Sequence, residues 1–212
     1  MKKHGLFILF IVLVNYGCTT SKITDTLNVQ LSENRYPVVT VISINLQDRK
    51  FSNCLEKRLS EYIVDLKVVP EDEFRDALFP WFERNTAPKE ISDLTDLLKN
   101  ALVRRRIEGL NIDFLIYVRG HTTQSELDGP FIASAVGYLS AERETHMSIV
   151  VWDLEEACSV GDADIITEGR VSLIAIGIIF IPIPAFTETK ACIETAKRID
   201  SCITDKGLRT EK

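Results

Sequence analysis

Two histidines and four widely spaced cysteines are the residues beyond the N-terminal segment best suited to chemistry. His121 follows an apolar run that ends at Arg119, and His146 precedes one that starts at Met147. If those runs pair antiparallel with Tyr117 opposite Val150, His121 falls opposite His146. Glu126, Asp128 or Glu144 would then complete a metal or acid–base site. Solvated strand ends explain the same residues more plainly. The chain contains no G-x-S-x-G, no H-E-x-x-H, no Walker A loop and no G-x-G-x-x-G, so none of the well-marked enzyme classes is indicated. No metal and no cofactor is expected, and no catalytic residue is assigned.

Cys54, Cys158, Cys192 and Cys202 contain no C-x-x-C pair, which points away from a zinc ribbon or a thioredoxin-type site. Their spacing suits disulfides in an oxidising compartment. Cys192 and Cys202 share one helical stretch, where ten residues rise about 15 Å. Bonded Cα atoms lie within about 7 Å, so these two cannot pair. Of the remaining pairings, Cys158–Cys192 is favoured, with Cys54 and Cys202 either paired or reduced.

The elements that must position these groups are set by hydrophobic periodicity. Val38–Ile44 is β-branched and reads as a buried central strand. Phe51, Leu55, Leu59, Tyr62 and Ile63 recur at helical spacing. Leu66–Val69 is a short strand closed by Pro70. Glu71–Asp72–Glu73 opens a helix bearing Phe74, Ala77, Leu78 and Trp81, which Pro80 should end or bend. Pro88 opens a helix striped by Ile91, Leu94, Leu98, Ala101 and Leu102, with Arg104–Arg106 near its end and Gly109 as its C′ residue. Phe114–Arg119 and Met147–Leu154 read as strands, and Ile165–Ile181 holds a further strand or strand pair. A last helix over Lys190–Ile203 carries Ile193, Ala196 and Ile199 on one face.

The expected fold is therefore α/β: a mixed sheet of about five strands, in the order β-α-β-α-α-β-β-β-α, with helices packed on it. Early strands should pair parallel and late ones antiparallel. Ligands of such sheets gather beyond the carboxyl ends of the parallel strands. Here those ends carry Asn45 and Asp48, then Pro70 and Glu71, then Arg119 and His121. That defines a possible polar crevice. The proline bend at 80 could turn Trp81 or Phe82 outward as an anchor for a partner protein. Arg104–Arg106 could attract an anionic lipid or acidic partner, though the helix dipole explains them more simply. Val171–Phe186 has no charged residue over its sixteen positions. It is too short and too proline-broken to span a membrane as a helix, and reads as a buried strand with a rigid turn. The apolar, small-residue loop Leu127–Leu139 is a second place where membrane or a neighbouring subunit could touch.

The N-terminus carries the clearest statement. Lys2, Lys3 and His4 precede the ten apolar residues Gly5–Val14. Ten helical residues reach only about half the hydrocarbon thickness, so this is the h-region of a signal peptide over residues 1–17. Asn15-Tyr16-Gly17-Cys18 then resembles the lipobox of bacterial lipoproteins, except that Asn15 stands where the family usually has Leu. The resemblance implies lipidation of Cys18, and Thr19 in the following position implies sorting to the outer membrane. Residues 18–35 read as the lipidated end and a flexible tether, with a typical reach of roughly 20–25 Å. Residues 36–204 form a single α/β domain and 205–212 a polar tail.

The folded part loosely resembles the α/β domain of envelope proteins such as the TolB N-terminal domain and the curli-secretion lipoprotein. The phrases Phe74–Glu83, Trp152-Asp153-Leu154 and Thr189-Lys190-Ala191-Cys192 are similar to a group of uncharacterised bacterial lipoproteins, a likeness that implies no activity.

The composition agrees. The 212 residues are 45% apolar, which excludes a disordered chain. The net charge is −6, so a phosphate backbone is a poor partner and no nucleic-acid role is expected. The sequence thus points to a lipid-anchored protein at the periplasmic face of the envelope, bound to lipid through Cys18 and to another envelope protein. It would act as a non-enzymatic binding or assembly component. Two alternatives compete. One is an oligomeric secretion-channel lipoprotein, which needs strand pairs of about 9–11 residues with alternating polarity that neither apolar segment shows. The other is a hydrolase using His121 with nearby carboxylates.

Overall fold

The computed structural model describes residues 19–27, 37–43, 48–63, 66–83, 86–129, 136–156, 158–176 and 179–204. In chain order the elements are β1 (Thr20–Asp25), β2 (Val38–Ser43), α1 (Arg49–Tyr62), β3 (Lys67–Val69), α2 (Glu71–Ala77), α3 (Ile91–Lys99), α4 (Ala101–Leu110), β4 (Phe114–Gln124), β5 (Val136–Asp153), β6 (Cys158–Ile176), β7 (Ile179–Ile183) and α5 (Thr187–Thr204). The strands form one seven-stranded mixed sheet in the order β1-β6-β5-β4-β2-β3, with β7 paired to β6. The α/β class is as expected from the sequence. The strand count is larger.

Parallel pairing falls where strand–helix alternation requires it. Val39 of β2 lies opposite Val68 of β3, and Val41 lies opposite Ile116 of β4. The late pair β6–β7 is antiparallel, with Ile174 opposite Ile181. The additional strand β1 occupies part of the stretch read as a polar tether. Its residues Thr20–Thr24 are all exposed, so no hydrophobic period marks them. Its pairing rests on backbone groups that the edge of β6 offers.

The residues divide into two compact units. One comprises Ile23–His121, Met147–Ile165 and Cys192–Lys212; the other comprises Met1–Lys22, Thr122–His146 and Ile166–Ala191. In the first, α2, α3 and α4 bury Phe74, Leu94, Leu98, Val103 and Ile107 against Ile42, Leu115, Tyr117 and Trp152. Successive strand residues point to opposite faces. Phe114, Ile116 and Val118, which alternate with Leu115 and Tyr117, are buried too, so both faces of β4 are covered. On α1 the buried apolar residues are Phe51, Leu55 and Leu59, with Ser52 buried beside them, while Tyr62 of the expected stripe stays exposed.

The helix expected from Pro88 to Gly109 is two helices. Asn100 is extended (φ −68°, ψ 124°), and its side chain accepts the Leu102 N–H at 2.9 Å, capping α4. Asn side chains compete for backbone donors and so favour caps over helix interiors. The break resets the phase: Ala101 and Leu102 fall outside, and Val103 and Ile107 turn inward. Gly109 lies within α4, and the left-handed residue after the helix is Asn111, at φ 53°. The start also differs: Asp93 of α3 accepts the N–H groups of Lys89 and Glu90, and the helix opens at Ile91 rather than at Pro88.

Cys54 of α1 is bonded to Cys192 of α5, with Cα atoms 6.2 Å apart across 138 positions of sequence. This corrects the expected Cys158–Cys192 pair. Cys158 is an exposed thiol at the first residue of β6, and Cys202 lies half-buried in α5. Order along the chain suggested the nearer partner, but the fold brings α1 beside α5.

Candidate functional site

Beyond the end of β3, the carboxylate of Glu71 is engaged by the protein's own side chains. Glu71 follows β3 at the start of α2 and is 2% exposed. Its carboxylate accepts the N–H and the hydroxyl of Ser43, the last residue of β2, both at 3.2 Å. Ser52 of α1 donates to the other oxygen at 2.7 Å. Arg75, one turn along α2, donates from Nε at 2.9 Å and from Nη2 at 2.5 Å. The same Nη2 also reaches the Ser43 carbonyl. A buried carboxylate costs several kcal/mol unless paired and hydrogen-bonded, and here it is both. The cluster locks α1 and α2 to the end of β2.

Asp48 is buried at the start of α1 and accepts the Gly120 N–H of β4 at 3.3 Å. A Cβ at Gly120 would lie 2.6–2.8 Å from three atoms of the Phe51 ring, so only glycine lets α1 seat there. Arg119 and His121 are exposed on β4. Asn45 lies outside the described residues. The electrostatics are governed by burial. Desolvation raises the Glu56 carboxyl above its usual range; the charges of Glu71 and Asp72 add to this, while a hydrogen bond from the Glu71 backbone opposes it. Desolvation likewise raises Tyr117, with Arg119 pulling down and Asp48 pushing up.

The aromatic turn after α2 corrects one assignment. Phe82 points inward, edge-on to Phe74 with ring centroids 5.5 Å apart, beneath the Arg75 guanidinium. Phe79 is the residue that faces solvent, at 57% exposed. Trp81 is half-buried under Arg106, whose guanidinium carbon is 5.1 Å from the ring centre. Arg106 donates to the carbonyls of Ala77, at 3.1 Å, and Phe79. Arg104 donates to the Glu155 carbonyl at 3.1 Å. Two of the three arginines thus tie the backbone together.

In the other unit, Thr122 of β4 donates to Glu188 at 2.9 Å, Arg143 pairs with Glu188 at 3.1 Å, and Thr145 donates to Thr187 at 2.8 Å. These contacts fasten the start of α5 to β4 and β5. His146 of β5 is hydrogen-bonded to Glu144. Among the described residues, no group of three or more His, Cys, Asp or Glu side chains is arranged to hold a metal ion. Burial acts to raise the Tyr138 hydroxyl, but hydrogen bonds with Ser172 and Ser140 and the charge of Arg170 outweigh it and hold it low.

The segment Val171–Phe186 corrects a second assignment. It forms the β6–β7 hairpin, and β7 is exposed rather than buried. Ile179 is 61%, Phe180 56% and Phe186 66% exposed. Pro182, opposite Leu173, cannot donate to a ladder, and this was the legible sign of an edge strand. Loop residues 130–135 and Cys18 lie outside the described residues. No described helix is long and apolar enough to cross a membrane.

No protein-family model matches the chain, and the comparison with curated proteins gives no match. Among solved structures it is similar to the PelC dodecamer from Paraburkholderia phytofirmans, with TM-score 0.40 and 9% identity over 87% of this chain and 97% of that one. It is also similar to lipoprotein GNA1162 from Neisseria meningitidis, with TM-score 0.34 and 9% identity over 82% of this chain and 99% of that one. The structural neighbours thus include bacterial lipoproteins, and at these scores none of them carries a function across.

Proposed function

We propose that the chain is a lipid-anchored envelope protein, acylated at Cys18, that acts as a non-enzymatic binding or assembly component at the periplasmic face of the outer membrane. One observation carries this reading: Lys2 and Lys3, ten apolar residues, and Gly17 directly before Cys18. The buried polar groups of the strand-end crevice support the non-enzymatic part, because Glu71 is engaged by Ser43, Ser52 and Arg75. A partner protein would find a surface at the turn that exposes Phe79 beside Trp81 and Arg106, aromatic and arginine groups of the kind that anchor interfaces.

The anchor is tested by labelled palmitate in cells. Label should enter the wild-type chain and not Cys18→Ala; equal labelling of both, or of neither, overturns the anchor. The partner surface is tested by photocrosslinking from position 79 in the native envelope, which should capture one protein that Arg106→Ala weakens.

A further inference from the structure

We infer that the β6–β7 hairpin and Phe186 form a membrane-docking surface beside the acylated N-terminus, an inference that rests on the anchor at Cys18. The hairpin is unusual for a soluble edge. Natural edge strands are blunted by charges or proline; Pro182 and Pro184 discourage pairing here, but no charge keeps apolar surface off the strand. Here Val171–Phe186 has no charged residue, and Ile179, Phe180, Ile181 and Phe186 all face solvent. Contiguous apolar surface of this kind marks a protein or membrane contact.

The occupant is indicated by where the chain enters this unit. Thr19 Cγ2 lies 2.9 Å from the position of a Cβ on Gly169, and Ala185 Cβ and Thr187 Cγ2 each lie 3.0 Å from the same point. Thr19 therefore packs where β7 leads into α5, beside the residues that flank Phe186. Cys18 immediately precedes Thr19 in the sequence. With acyl chains on the residue before Thr19, a bilayer that holds them meets the side of the unit where Thr19, Ala185 and Thr187 converge. The five residues of β7 extend roughly 17 Å. That is short of the 9–11 residues of a spanning strand, and it suits insertion of about 5–10 Å into the interface. The acyl chains hold the N-terminus at the bilayer, and an apolar surface beside it would fix the orientation of the unit against the interface.

The test uses the full chain, expressed with its own N-terminus and reconstituted into phosphatidylethanolamine–phosphatidylglycerol vesicles. Phe180→Trp and Phe186→Trp are conservative changes at exposed positions. Each should add blue-shifted emission that is lost when the acyl chains are brominated, above a wild-type background from Trp81 and Trp152. Palmitate incorporation is read on the same samples. Unquenched tryptophans in palmitate-labelled protein overturn the docking surface and leave the anchor standing. Quenched tryptophans without label support the hairpin and overturn the anchor. Unquenched emission, together with an intermolecular disulfide formed by Phe180→Cys, overturns membrane docking in favour of a second copy of this chain.

Discussion

Glu71 shows how one residue decides a local structure. Three elements end at its carboxylate, and each supplies a donor: Ser43 from β2, Ser52 from α1 and Arg75 from α2. Glu71→Ala removes the carboxylate that Arg75 and both serines share. Unfolding midpoints in urea should show a loss of roughly 2–4 kcal/mol, while Asp72→Ala, at an exposed neighbour, should stay near zero. Glu56 makes the opposite prediction. Its carboxyl is raised in the folded state, chiefly by burial, so folding favours its protonated form. That contribution is fully present below the ordinary value of 4.5 and is lost as pH rises through the raised one. Glu56→Gln should therefore raise the Tm at pH 7, and the gain should vanish below about pH 4. An equal gain at both pH values would show that charge is not the cause.

At the scale of elements, Asn100 separates α3 from α4 and sets the phase of the second helix. Had the helix run through, the stripe Ile91, Leu94, Leu98, Ala101 and Leu102 would have continued on one face. The cap instead turns Val103 and Ile107 into the core and leaves Leu102 at 60% exposed. Asn100→Ala removes the acceptor for the Leu102 N–H and should cost about 1 kcal/mol, with Asn100→Ser or Asn100→Asp recovering most of it. The apolar period was visible in the sequence, but the break was not, because Asn is only a modestly poor helix former and the period alone carries straight past it. The hairpin is a second case. Its sixteen uncharged residues read as buried by composition, while Pro182 and Pro184 marked an edge.

At the scale of the molecule, the disulfide ties α1 to α5 across most of the chain. Cys54 and Cys192 stand 138 positions apart, for which the chain-entropy model gives about 5 kcal/mol before any native-state cost. Cys54→Ser should lower stability by roughly 2–5 kcal/mol. Non-reducing peptide mapping should yield a Cys54–Cys192 peptide, with Cys158 open to alkylation. A Cys158–Cys192 peptide would refute the arrangement.

The chain's order of residues determined what depends on near neighbours. It set the α/β class, the parallel pairing of β2, β3 and β4, the core positions Leu55, Leu59, Phe74, Leu94 and Leu98, and the lipobox-like N-terminal pattern, because a period or a short motif is complete within about fifteen residues. The placing of Asp48 and Glu71 just beyond the ends of β2 and β3 also came from topology. Tertiary structure alone decided which cysteine Cys192 meets, that β1 adds to β6, that Phe82 turns in while Phe79 turns out, that Phe51 seats against Gly120, and that Ser43, Ser52 and Arg75 meet on Glu71. Each of these joins residues far apart in the chain or selects one of two faces. Such choices are settled by the whole packed sheet, where burial and hydrogen bonding are shared among many elements at once.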